Sequence, residues 1–228
     1  MSDYDAFAKE YAEHASSSVY NAGYERPAMR AALGDVRGAR VLDAGCAAGS
    51  HSEHLIAQGA RVVAIDKSAA LIEMVRARLG DRVEAHCADL EQSLTFFSNE
   101  SFDLVFSSLT LHYLRWWSGV FAEFKRILRP GGRLLFSTHH PAMTAPLVSD
   151  YFETQPVADR WKLGDREVDL TFYHRPLHAI LGSLLQSGFR LRSLIEPRLA
   201  TRPANASDTD FERLSKHPWF LIVDAVAE

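Results

Sequence analysis

Three acidic residues and one glycine-rich turn are the part of this chain best suited to chemistry. Asp43-Ala44-Gly45-Cys46-Ala47-Ala48-Gly49 closes a first short apolar run, Asp66 ends a second, and Asp89 follows a third. Glycine at such a turn lets a ligand approach the backbone without meeting a Cβ. A helix starting there would turn its free N–H groups toward an anionic group. An acid about twenty residues beyond the turn suits paired hydrogen bonds to ribose hydroxyls. The Asp89 carboxylate could accept from an exocyclic amine. Together these positions describe a site for an adenosine carrying a short charged tail. Plainer readings stand beside them: Asp43 could cap the turn, and Asp89 could cap the following helix.

Any base chemistry would fall to histidine, the usual general base near neutral pH. His112 follows a fourth apolar run, His139 and His140 follow a fifth, and His174 ends an irregular stretch beyond. All four could approach one cleft, so all four are catalytic candidates. A histidine at a strand end is nevertheless commonly a hydrogen-bonded structural residue. Tyr20 and Tyr24, with His112, His140 and Tyr173, are candidates for the wall of an acceptor pocket. His51 and His54 lie three apart, but no carboxylate joins them at ligand spacing, and no metal is expected. Cys46 and Cys87 stand outside any CxxC spacing and read as small buried hydrophobes.

The elements that must position these groups follow an alternating rhythm. Residues 4–14 and 26–34 read as helices, the second with Pro27 in its first turn and Gly34 as its stop. Strands are predicted at Arg40–Ala44, Arg61–Ile65, Arg82–Cys87, Phe102–Ser107 and Arg133–Thr138. Helices are predicted at Ser50–Gln58, Ser68–Leu79 and Trp116–Leu128, the last stopped by Arg129-Pro130-Gly131-Gly132. Strands separated by helices at this spacing imply right-handed βαβ units and a parallel sheet covered on both faces. The fold class is a Rossmann-like, doubly wound α/β sheet. After His140 the rhythm breaks into a possible hairpin, Arg160–Leu163 and Glu167–Tyr173 around Gly164-Asp165. A helix over Pro176–Gln186, a strand at Phe189–Ile195, a long loop over Pro197–Lys216 and a last strand at Trp219–Val226 complete the reading. No helix is expected between the final two strands, which leaves an antiparallel pair open.

Bulk properties narrow the function classes. The chain has 228 residues, 47% hydrophobic and 24% charged, with net charge -4. That suits one α/β domain with a modest insertion. The acidic balance and scattered Arg and Lys disfavour a nucleic-acid partner. No apolar run reaches the roughly 18 residues that span a bilayer. The polar, acidic start has no apolar signal core, and the expected location is the cytoplasm. A monomer and a homodimer fit equally.

The longer strings carry a resemblance. VLDAGCAAGSHSEHLIAQGARVVAIDKS looks like the first motif of class I S-adenosylmethionine-dependent methyltransferases. CADL is similar to their adenine-side motif, SFDLVFSSLTLHYL to their fourth-strand motif, and LRPGGRLLFSTHHP to the approach to their fifth strand. The match covers about residues 38–140 and resembles most the small-molecule enzymes of the ubiquinone- and menaquinone-methylating kind. The resemblance implies a seven-stranded sheet of order 3-2-1-4-5-7-6, strand seven antiparallel, with a small cap. It implies a division into lid helices over 1–37, a cofactor-binding core over 38–140, a cap over 141–175 and the rest of the sheet over 176–228. It implies S-adenosylmethionine as cofactor and a small-molecule methyl acceptor. Asp43 and the Gly45-Cys46 backbone would hold the methionine portion and Asp66 the ribose. Lys67 would flank the adenine, whose amino group would meet Asp89 beside the Leu90 backbone. Ser107 would line the methionine side, and Tyr11 would reach the carboxylate end. One departure is Ala47, where the family usually has glycine. A binding module without catalysis is the alternative. A nicotinamide-dependent oxidoreductase is a weaker one, because its G-x-G-x-x-G spacing is missing.

Overall fold

The computed structural model describes residues 4–163 and 166–228. The turn expected at Gly164-Asp165 lies outside them. The chain opens with a 3₁₀ turn (Tyr4–Phe7), helix α1 (Ala8–Ser17), a π-helical segment (Val19–Glu25) and α2 (Arg26–Leu33). Then come β1 (Arg40–Ala44), α3 (Ser50–Ala57), β2 (Arg61–Asp66), α4 (Ala69–Leu79), β3 (Val83–Cys87) and β4 (Phe102–Ser107). Next are α5 (Trp117–Ile127), β5 (Leu128–His139) and the short α6 (Pro141–Thr144). The chain ends with β6 (Gln155–Leu163), β7 (Arg166–His174), α7 (Leu177–Gln186), β8 (Phe189–Ile195), α8 (Asp208–Lys216) and β9 (Phe220–Ala227).

Seven strands form one sheet in the order β3-β2-β1-β4-β5-β9-β8, and β6 pairs with β7 separately. The first five strands run parallel; β9 is antiparallel to both β5 and β8. With the hairpin strands set aside, this is the predicted order 3-2-1-4-5-7-6. Period-two alternation sorts each strand's side chains between the two faces. Val41, Val62, Leu104, Leu135 and Ile222 meet Met29, Leu33 and Leu55 of α2 and α3. Their neighbours Leu42, Val63, Val105, Leu134 and Leu221 meet Phe121, Phe124, Ile180 and Leu184 of α5 and α7. Both faces are therefore covered, which is why the strands read as continuous apolar runs.

Three predictions are corrected. The stretch expected as a loop over 197–216 contains α8, capped by the Ser207 hydroxyl accepting from the Asp210 N–H at 3.0 Å. This helix is mostly exposed, so its polar surface hid its period; only Leu214 is buried. Arg129-Pro130-Gly131-Gly132 does not stop a helix from outside the sheet but forms the start of β5, with Leu128 opposite Phe102. Residues 4–14 are not one helix: a 3₁₀ turn leads into α1, and a π-helical segment brings the chain to Arg26. No described helix is long and apolar enough to cross a membrane.

Candidate functional site

The carboxyl ends of β1, β2 and β4 open on one cleft of about 600 Å³. Its floor is the turn after β1. Gly45 and Gly49 adopt left-handed φ of 80°, and Ala47 does the same at 48°. A Cβ on Gly45 would lie 2.2 Å from the Thr110 hydroxyl oxygen, so only glycine fits there. Asp66, at the end of β2, holds this turn. Its Oδ2 accepts from the Ala47 N–H at 2.9 Å and its Oδ1 from the Ser68 N–H at 3.0 Å. Burial raises its pKa, against those backbone donors. Asp43 is buried and accepts from the Ser52 hydroxyl at 2.6 Å; burial raises its pKa too. Lys67 reaches Asp89 at 2.5 Å, and the other Asp89 oxygen accepts from the Glu91 N–H at 3.0 Å.

The roof comes from both ends of the insertion pattern. Asp5 accepts from the Ser68 hydroxyl at 2.5 Å and the Ala70 N–H at 3.0 Å, seating the N-terminal segment on the first turn of α4. Phe7 and Tyr11 pack with Trp161, Leu163, Val168 and Leu170 of the β6–β7 hairpin. Tyr11 and Thr171 thereby face the cleft from above. Burial, with Tyr113 and Asp66 nearby, raises the Tyr11 phenol above its ordinary range.

Of the expected cofactor residues, Tyr11, Asp43, Gly45, Cys46, Asp66, Lys67, Asp89 and Leu90 line this cleft. Ser107 is not among its lining residues; it is fully buried and donates to the Ala44 carbonyl at 2.8 Å, tying β4 to β1. None of the expected histidines or acceptor-wall tyrosines lines it either. Tyr20 donates to Asp210 at 2.9 Å, and Tyr24 donates to the Pro197 carbonyl at 2.5 Å, so both fasten the N-terminal segment to the α8 region. His140 caps α6 by accepting from the Ala142 N–H at 3.0 Å and pairs with Glu196 at 2.9 Å. His174 is fully buried, with its Nε2 against the Tyr151 carbonyl at 2.9 Å and its Nδ1 against the Thr144 hydroxyl at 2.5 Å. Tyr173 stands opposite Pro156, one pleat beyond Thr171 on the same face of β7. His112 and His139 stack at 3.8 Å between ring centroids, beneath Phe172. Both Nδ1 atoms are buried without a hydrogen-bond partner. Burial pushes His112 well below the usual imidazole range and His139 down to about 3.

Two cleft residues, Glu25 and Arg26, carry no signal in the sequence pattern. Glu25 is 1% exposed, and its Oε1 accepts from the hydroxyls of Ser137 at 2.5 Å and Ser108 at 2.8 Å. Its Oε2 lies 3.8 Å from His51 Nε2. Burial alone would raise its pKa, but His51 and the two serines outweigh that and hold it low. Arg26 donates to the Ala15 carbonyl at 3.0 Å, while its Nε is buried with no acceptor. These groups meet only through tertiary folding. Among the described residues, no cluster of three or more His, Cys, Asp or Glu side chains is placed to hold a metal.

The chain is similar in sequence and fold to known proteins. Residues 42–136 match the methyltransferase domain family. An uncharacterised protein of Haemophilus influenzae is 24% identical across 98% of this chain and 95% of its own. A demethylmenaquinone methyltransferase of Clavibacter sepedonicus is 39% identical over 53% of this chain. The chain spans about half (51%) of that relative's length. The crystal structure of an S-adenosylmethionine-dependent methyltransferase from Mesorhizobium loti superposes with a TM-score of 0.70 at 28% identity, covering 89% of this chain and 97% of that one. Residues 42–136 of this chain are thus a methyltransferase domain, and the chain has the fold of the class I S-adenosylmethionine-dependent methyltransferases.

Proposed function

We propose that the protein transfers a methyl group from S-adenosylmethionine to an oxygen, nitrogen or carbon nucleophile of a small molecule. The observation that carries this reading is the convergence of Gly45, Asp66 and Asp89 on one cleft at the carboxyl edge of the sheet, where open α/β sheets take their ligands. The donor set fits the cofactor. Asp66 accepts from the backbone N–H groups of Ala47, Ser68 and Lys67, and its carboxylate, with about four acceptor sites, keeps capacity for a ribose hydroxyl. Asp89 keeps the same capacity for the adenine amino group, with Leu90 and the Lys67 stem as apolar walls. Asp43 and the Gly45-Cys46 backbone hold the methionine portion, with Tyr11 above it.

Bound, S-adenosylmethionine supplies a methyl on a positively charged sulfur, open to in-line displacement by the acceptor. The protein's share is alignment, which accounts for several kcal/mol of barrier reduction in such reactions, and exclusion of water. In this reading residues 1–37 are the lid, 141–175 the cap, 38–140 the cofactor core and 176–228 the remainder of the sheet. A base is needed only for an acceptor that must lose a proton. His51 is the imidazole that lines the cleft, and it replaces His112, His139, His140 and His174 as first candidate.

Calorimetric titration with S-adenosylmethionine and with NADH, repeated on Asp66→Ala, tests the reading. The sulfonium compound alone should bind, and the variant should lose about ten- to hundredfold in affinity. A folded protein that binds NADH instead would sink the proposal. Binding without turnover on any acceptor would favour a cofactor-holding module.

A further inference from the structure

We infer that Glu25 is a positioning residue: from the end of the π-helical segment it holds the strained turn after β4, Ser108-Leu109-Thr110, in the shape that packs on Gly45. Seating the N-terminal segment and completing the floor of the cleft are then a single event. The geometry stands by itself; its consequence for binding rests on the cofactor reading above.

The turn begins where β4 leaves the sheet, and all three of its residues line the cleft. Leu109 has φ 47°, a left-handed backbone that leucine adopts only at a cost. Such strain persists where the surroundings over-determine it. Here three contacts do so. The Leu109 N–H donates to the Ser137 hydroxyl of β5 at 2.9 Å. The Leu109 side chain packs with Val19 and Tyr24 of the π-helical segment. The Thr110 hydroxyl, at the far end of the turn, donates to the Ser108 carbonyl at 2.9 Å. Held in this way, Thr110 occupies the space where a Gly45 Cβ would be, with its hydroxyl 3.3 Å from the Gly45 carbonyl. The turn after β4 thus closes over the turn after β1.

Glu25 decides which way the hydroxyls point. Its Oε1 accepts from Ser108 at 2.8 Å and from Ser137 at 2.5 Å. An ionised carboxylate has no proton to give, and a serine hydroxyl has only one. With that proton committed to Glu25, Ser137 must offer a lone pair, and the Leu109 N–H takes it. One carboxylate oxygen therefore fixes the turn at two points, directly through Ser108 and by relay through Ser137. Glu25 stands 83 positions from Ser108 and 112 from Ser137, so the turn is held only once the N-terminal segment has docked.

Hydrogen exchange at the Leu109 amide and calorimetric titration with S-adenosylhomocysteine test this on the wild type, Glu25→Met, Glu25→Gln and Ser137→Ala. Glu25→Met and Ser137→Ala should each speed exchange and weaken binding by about tenfold. Glu25→Gln keeps an oxygen for both hydroxyls and should stay within about threefold of the wild type. Glycine takes left-handed backbone freely, so in a Leu109→Gly background Glu25→Met should cost at most about twofold in affinity. A glutamate that served stability alone would cost the same in both backgrounds, and that result overturns the proposal. Unchanged exchange in Glu25→Met and Ser137→Ala overturns it as well. So does a Glu25→Gln that falls as far as Glu25→Met, because charge rather than hydroxyl direction would then be at work. Should Glu25→Met fail to fold, Ser137→Ala, which removes a single oxygen, decides. A wild type that binds no S-adenosylhomocysteine brings down the methyltransferase reading, and exchange at Leu109 still decides the relay.

Discussion

At the residue scale, the turn after β1 contains three left-handed positions, and two of them, Gly45 and Gly49, are glycine. Gly45 has left-handed φ and the Thr110 side chain packed where a Cβ would be. Ala47 has φ 48° and pays the strain of an L-residue in that region. Ala47→Gly should therefore raise stability by about 1 kcal/mol, because relief of the strain exceeds the entropic cost of glycine. Gly45→Ala should lower it by about 3 kcal/mol, from backbone strain plus overpacking. Urea midpoints compare the three proteins, and a stabilised Gly45→Ala would refute the steric argument. Glycine at 45 was legible in the sequence as a turn residue beneath a ligand. Its packing against Thr110, 65 positions later, was not, because the contact exists only once β4 lies beside β1.

At the element scale, the β6–β7 hairpin was legible as two alternating strands; what it covers was not. Its Phe172 closes over the stacked His112 and His139. Reading each histidine by its strand end suggested a reactive group facing a cleft, but the hairpin buries them away from it. The pair gives the hairpin a pH dependence of definite sign. The folded pKa of His139, about 3, lies below the unfolded value near 6.5. Stability from this imidazole is thus fully present above pH 6.5 and is lost as pH falls toward 3. Between pH 7 and pH 5 the loss should reach at most about 2 kcal/mol. His139→Phe should show a shallower fall over that interval in urea titrations, with the remaining acid sensitivity belonging to carboxylates such as Glu25. An unchanged slope would mean the imidazole is not kept neutral by the hairpin. Helix α8 teaches the complementary lesson. Its Ser207 cap and acidic first turn lay inside a stretch read as loop, because one buried leucine is too little period to announce a helix.

At the scale of the whole molecule, the doubly wound sheet was read nearly in full, because strand-helix alternation and full burial leave few topologies. Alternation left the end of the sheet open; its order 5-7-6 with strand seven antiparallel came from the family resemblance, and the structure has it. Strand β9, last in the chain, is inserted between β5 and β8 and is buried along almost its whole length. Removing residues 217–228 should therefore abolish cooperative folding rather than trim an edge, since β8 loses its one partner strand in the sheet and β5 its ladder on that side. Circular dichroism and thermal melting of the truncated chain check this; a truncated protein that still melts cooperatively would show β5 and β8 to be self-sufficient.

The cleft is assembled from residues far apart in the chain. Asp5, Tyr11, Glu25 and Arg26 are synthesised more than a hundred codons before Thr171. The N-terminal segment leaves the ribosome without the sheet edge and hairpin on which it will lie. It must wait, solvated, until β7 has emerged before its Phe7 and Tyr11 find their partners. A ligand that contacts both therefore recognises only chains in which the N-terminal segment and β7 have come together. Its presence during refolding should draw the population toward completion by mass action, so that the small molecule the protein binds also proofreads its own binding site.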